Sequence, residues 1–157
     1  MSLEKSLSGW VDKIAKSIPG FSGYFRKEER RENDQRMREK ISHIIEKITD
    51  ILNEKGRIIT KSGDISLLDR IGRIRKRLEK LKDGVRYADY GYSGFFDKKE
   101  ISEDTLCSVY NIDHELLEWS LNFKSSTDED TQLDDIANNI EKGFGLLEKR
   151  SEIIEGV

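Results

Sequence analysis

Leu67, Ile71, Ile74, Leu78, Leu81 and Val85 recur at 4-3-4-3-4 spacing, the period of a single apolar stripe along an α-helix. Polar and charged residues fill most of the positions between them, so the segment predicts a helix with one buried side. Met37, Ile41, Ile44, Ile48 and Ile51 set the same rhythm upstream, with Ile45 and Leu52 widening the stripe. Leu3, Leu7, Trp10, Val11 and Ile14 mark a first helix, which Pro19-Gly20 stops because the residue before a proline resists helical angles. Downstream, Asp97 opens a predicted helix through Tyr110. Ile112, Leu116, Trp119 and Phe123 form a further seam, and Leu133, Ile136, Ala137, Ile140, Phe144 and Leu147 mark a last helix.

Between these stripes the sequence is punctuated. Gly56 is expected to end the second helix, leaving 57–64 as a connection, with Ser62 or Asp64 capping the next helix. Ile58-Ile59-Thr60 is too short, and too isolated, to predict a strand. Ser125-Ser126-Thr127 predicts a polar break, while Gly143 and Gly145 point to a close backbone approach or to a bent, frayed helix. The fold expectation is an all-α, antiparallel bundle of five to six helices in one domain, 1–157. Residues 1–56 and 57–124 could be related halves, followed by an acidic helix at 128–157.

From Arg26 to Arg36 no residue is apolar. That arm predicts a solvated helix, laced by Glu32–Arg36 and Asp34–Arg38 pairs worth about 0.2–0.5 kcal/mol each, and unable to supply a core.

The idea of halves comes from a repeat. Gly20-Phe21-Ser22-Gly23-Tyr24-Phe25 returns 71 positions later as Gly91-Tyr92-Ser93-Gly94-Phe95-Phe96, each copy lying between helical patterns. Equivalent places predict equivalent surroundings: Phe25 and Phe96 buried, Phe21 and Tyr92 nearer a tip. The rings either plug the end of the bundle or form an exposed patch that receives a partner. On the second reading the partner-binding candidates are Phe21, Tyr24, Arg30, Arg31, Tyr90, Tyr92 and Phe95. With Ile18-Pro19-Gly20-Phe21-Ser22-Gly23-Tyr24, then Arg30-Arg31 and Asp34, then Tyr90 to Phe96, the chain resembles a set of uncharacterised prokaryotic helical proteins. The resemblance is confined to these segments and implies no activity or ligand.

Composition agrees with thin seams and a charged surface: 35% hydrophobic and 38% charged, against about 45–50% and 25% in typical domains. A single cysteine, Cys107, excludes an internal disulfide, and no signal-like or membrane-spanning apolar run is present, which predicts a cytoplasmic protein. The net charge of −3 hides an asymmetry: residues 1–96 sum to +7 and residues 97–157 to −10. Either the basic face meets a polyanion or the acidic helices neutralise it within the fold.

Chemical motifs are scarce. His114-Glu115-Leu116-Leu117-Glu118 lacks the second histidine of a helical zinc site. Asp128 to Asp134 alternates acids as a calcium loop does, but Leu133 stands where the turn needs glycine. No glycine-rich phosphate loop occurs, and Cys107 has no basic neighbour in sequence to activate it. No cofactor, metal or small-molecule substrate is therefore predicted. The expected function is a non-enzymatic interaction or scaffold protein, partnered by another protein or by itself. The alternative is a binder of nucleic acid or of an anionic membrane surface. It would use Arg70, Arg73, Arg77, Lys80 and Arg86, with the Trp10 helix as a peripheral anchor.

Overall fold

The computed structural model describes residues 3–92, 94–129 and 131–156; the side chains of 3–6, 90 and 91 lie outside that description. Among the described residues five α-helices follow one another: α1 (Leu3–Ala15), α2 (Lys27–Ser62), α3 (Ile65–Arg86), α4 (Glu103–Asp128) and α5 (Leu133–Glu155), with one 3-10 turn at Ala88–Gly91. The chain is all-α, and the helices pack as a bundle.

α2 and α3 form one antiparallel hairpin, α4 and α5 a second, and the two lie side by side. Ion pairs fix their relative direction. Arg70 reaches Asp134 and Arg77 reaches Glu141, so α3 and α5 run in step. α2 packs on α4 along the other side, and α1 lies against α4. This topology brings the α1–α2 and α3–α4 connections, which hold the two aromatic joints, to the same end. The α2–α3 turn stands at the opposite end.

Three predicted boundaries move. α2 does not stop at Gly56 but runs to Ser62, because Gly56 fits against Ile71 of α3 with ordinary contact and no turn is forced there. The stop is Gly63, at φ 80°, whose N–H bonds to the carbonyls of Ile59 and Thr60. The supposed connection 57–64 is thus mostly helix, and a boundary between halves at 56 falls inside α2. Asp64 caps α3 by accepting from the Leu67 N–H. Ser125-Ser126-Thr127 is not a break: Ser126 and Thr127 hydroxyls donate to the Phe123 carbonyl, and α4 continues to Asp128. Nor does Asp97 open a helix. Ser102 caps α4, accepting from the Thr105 N–H at 3.2 Å.

Ile41, Ile45, Ile48, Leu52, Leu78, Leu81, Leu116, Phe123, Ile136 and Ile140 fill the space between the hairpins. Gly143 makes that fit possible. A Cβ there would overlap the Trp119 ring and stand 2.8 Å from Leu81 Cδ2, so the indole of α4 lies against the bare backbone of α5. The indole N–H then donates to the Asn139 carbonyl at 3.0 Å. Gly145 has open space, so only the first of the two glycines marks a close approach.

Candidate functional site

The arm predicted to be solvated is where the interior turns polar. Counting back from Met37 along the α2 stripe gives Asp34 and Arg30, and both are buried, as are Asn33 and Arg38. Asp34 accepts from Arg38 Nε at 2.9 Å and from Arg150 Nη2 at 2.7 Å. Arg150, 1% exposed near the end of α5, donates through Nε to Asp113 of α4 at 2.6 Å. Asp113 also accepts from the Tyr24 hydroxyl at 2.6 Å. Two carboxylates and two guanidinium groups from α2, α4 and α5 therefore close into one buried, charge-balanced cluster, with the first joint attached through Tyr24.

Environment sets the protonation of each member. Burial pushes the Asp113 carboxyl up from its ordinary value, even with Arg150 and the Tyr24 hydroxyl donating to it. Burial, aided by the neighbouring Asp113, holds the Tyr24 phenol well above its usual range. For Arg150 burial works against the charge, but Asp113 and Asp34 outweigh it and raise its pKa well above normal. Burial pushes the Tyr110 phenol up to about 12; its oxygen accepts from the Tyr24 N–H at 2.6 Å. Arg150 Nη1 finds no hydrogen-bond acceptor, but its guanidinium stands 5.2 Å from the Tyr92 ring centroid, a cation–π contact.

Around this cluster the two joints meet. The Tyr24 ring packs at 5.5 Å from Phe96 and 5.3 Å from Tyr110. Arg30 bridges the joints, donating to the Tyr24 carbonyl at 2.9 Å and the Lys98 carbonyl at 2.6 Å, and Arg31 pairs with Asp97. Asn33 holds the first turn through the Gly23 carbonyl at 2.7 Å and the Ser22 N–H at 3.1 Å. Gly23 and Gly94, at the same place in the two copies, both have positive φ, 92° and 99°. At Gly23 a Cβ would also sit 2.7 Å from Val11.

These positions correct the expectation of an exposed aromatic patch. Phe21, Tyr24, Tyr92 and Phe95 are buried, and Arg30 is buried with its guanidinium engaged. Arg31 alone of the described candidates is exposed, and it is paired; the Tyr90 side chain and Ser93 lie outside the described residues. The expected equivalence of Phe25 and Phe96 also fails: Phe96 is 3% exposed and Phe25 37%. The two chains of events differ after the shared glycine, because Phe25 leads directly into α2 whereas Phe96 precedes a further loop.

Four of the five basic candidates face carboxylates. Arg70 meets Asp134, Arg77 meets Glu141 at 2.8 Å, and Arg86 meets Glu46 at 3.0 Å. Hydrogen bonds from Arg77 and Arg86 hold Glu141 and Glu46 below the ordinary carboxylate range. Arg73 lies 3.5 Å from Asp69, both well exposed, and Lys80 is exposed. Along α3 the acidic start of α5 thus neutralises part of the basic flank. His114 packs its ring 5.4 Å from Trp10, joining α1 to α4, and Cys107 is a half-buried free thiol. Among the described residues no cluster of three or more His, Cys, Asp or Glu could hold a metal ion, and no helix is long and apolar enough to cross a membrane.

One apolar surface was not anticipated. Lys55 reaches the Glu129 carbonyl beyond the end of α4, so the last two turns of α2 rise about 10 Å above the other hairpin at 1.5 Å per residue. On that projecting tip Ile58 is 58% and Ile65 79% exposed. Sequence periodicity gave no signal of it, because the stripe continues into the tip while the covering helices stop short.

Protein-family models, curated proteins and solved structures were each compared with the chain, and none matches it.

Proposed function

We propose that this chain is a non-enzymatic helical interaction protein whose contact surface is the tip of the α2–α3 hairpin. The observation that carries the reading is the pair of exposed isoleucines, Ile58 and Ile65, with half-buried Ile59, Leu67 and Leu68 beside them, standing above the bundle. Exposed apolar residues gathered on a protrusion favour association, since covering them removes about 25 cal/mol per Å² of unfavourable hydration. The reading is supported from the interior as well. Asp34 and Asp113, the most buried carboxylates, are occupied by Arg38, Arg150 and Tyr24, so the cluster serves cohesion rather than proton transfer. A single thiol, Cys107, suits a reducing cytoplasm.

Polyanion binding draws less support, because Arg70, Arg77 and Arg86 already engage carboxylates. Photo-crosslinking tests the proposal: a photoreactive residue is placed at Ile58 or Ile65, with Lys80 as the control position. Discrete protein adducts from the two tip positions, and none from position 80, are expected. No adduct from either tip position would remove the proposal, as would turnover of a small molecule by the purified chain.

A further inference from the structure

We infer that the α2–α3 tip is a contact between two copies of this chain, an inference that rests on the interaction reading above. Below Lys55 and Arg70 the hairpin is one half of a four-helix cross-section, with α4 and α5 supplying the other half. Above that level α2 and α3 have only each other. Two helices cover one seam between them and leave the sides that α4 and α5 cover lower down open to water. The stripe nevertheless continues: Ile58 and Ile59 stand one heptad after Ile51 and Leu52, and Leu67 one heptad before Ile74. What the tip lacks is a second helical hairpin, and another copy of the same tip is one.

The charges around the tip favour this occupant over a polyanion. Glu54, Asp64 and Asp69 stand among Lys55, Arg57, Lys61 and Arg73, and Arg57 already holds Glu54 at 2.6 Å. A rim carrying both signs is self-complementary across a two-fold axis, where each residue meets its counterpart's neighbour in both directions. An anionic lipid or nucleic-acid surface calls instead for one sign. Two turns of α2 and about one and a half of α3 per copy cover less than the roughly 1,200–2,000 Å² of a standard interface, so the dimer is expected to be reversible.

Sedimentation of the full chain over about 1–100 μM, a range suited to a small, reversible interface, tests the inference. The natural sequence should pass from monomer to dimer, and the Ile58→Glu/Ile65→Glu variant should remain monomeric with an unchanged thermal melt. An Ile58→Lys/Ile65→Lys variant, also monomeric alone, should form a mixed dimer with the Glu variant. That rescue shows that charge repulsion across the tip, rather than damage to the fold, broke the dimer. A natural chain monomeric at every concentration, or a dimer indifferent to both variants, overturns the inference. Crosslinking at positions 58 and 65 separates the two levels. Adducts to a different protein would overturn the second copy while leaving the interaction reading standing, whereas tip-dependent sedimentation with phosphatidylserine vesicles would overturn both. A monomer whose tip crosslinks to nothing overturns both.

Discussion

Asp34 and Arg150, 116 positions apart in sequence, meet at 2.7 Å inside the bundle, and neither is more than a few per cent exposed. A buried pair of this kind is strained by the loss of one partner far more than by the loss of both, because a lone charge is left without water. Arg150→Met is therefore expected to destabilise the fold by about 3–5 kcal/mol. Adding Asp113→Asn to it should cost much less than the sum of the two single changes. Urea unfolding of the two single variants and the double variant measures the difference.

The two glycines of α5 should respond with opposite sign. Gly143→Ala drives a methyl into the Trp119 ring and is expected to cost about 1–3 kcal/mol or more. Gly145→Ala meets nothing within 4 Å and removes a poor helix former, so it should stabilise by about 0.5–1 kcal/mol. Thermal melts of the two variants give the signs directly.

Phe96→Ala should cost about 3–5 kcal/mol, as expected for a large ring removed from a packed site. Phe25→Ala, at the matching place in the other joint, should cost far less, because that residue is 37% exposed. Equal losses in a paired denaturation experiment would contradict the burial described here.

Alkaline pH should weaken the fold through Tyr24 and Tyr110. Both phenols have pKa values raised above 10.0 in the folded chain, so the unfolded chain loses its protons first. Their contribution is complete below pH 10 and is lost as pH rises through the folded values. For Tyr110, a rise to about 12 implies roughly 3 kcal/mol. Ultraviolet titration should show Tyr24 and Tyr110 ionising only as the helical signal collapses.

The stripes of α2, α3 and α5 were legible because apolar residues declare their face by spacing alone. The polar cluster was not, for a reason that Asp34 and Arg38 illustrate. An acid and a base four residues apart read identically on a solvated helix and in a core; what separates the cases is the presence of Asp113 and Arg150, far away in sequence. One local clue existed. Arg30 and Asp34 lie where the Met37–Ile41–Ile44 stripe points when extended backwards. Asp113 likewise sits between Tyr110 and Leu116 on the buried side of α4, and Arg150 between Leu146 and Ile154 on that of α5. Charged residues in seam positions on three separate helices, summing to zero, were the available signal. The tip escaped for the opposite reason: its pattern is that of a buried stripe, and only the lengths of α4 and α5 leave it bare.

The clasp of Arg150 on Asp34 and Asp113 also governs the order of events as the chain emerges from a ribosome. Arg38 follows Asp34 within one helical turn, but Asp113 is made well before Arg150, the guanidinium that neutralises it. Until α5 has been translated, the hairpin of α2 and α3 can zip along its own seam, since those contacts are close in sequence. The end holding the two joints cannot close over an uncompensated Asp113. The nascent chain should therefore stay open at that end, accessible to chaperones and proteases, until the segment carrying Arg150 has cleared the ribosome. A ribosome stalled before the Arg150 codon would hold a chain with a formed α2–α3 arm and an unsealed base.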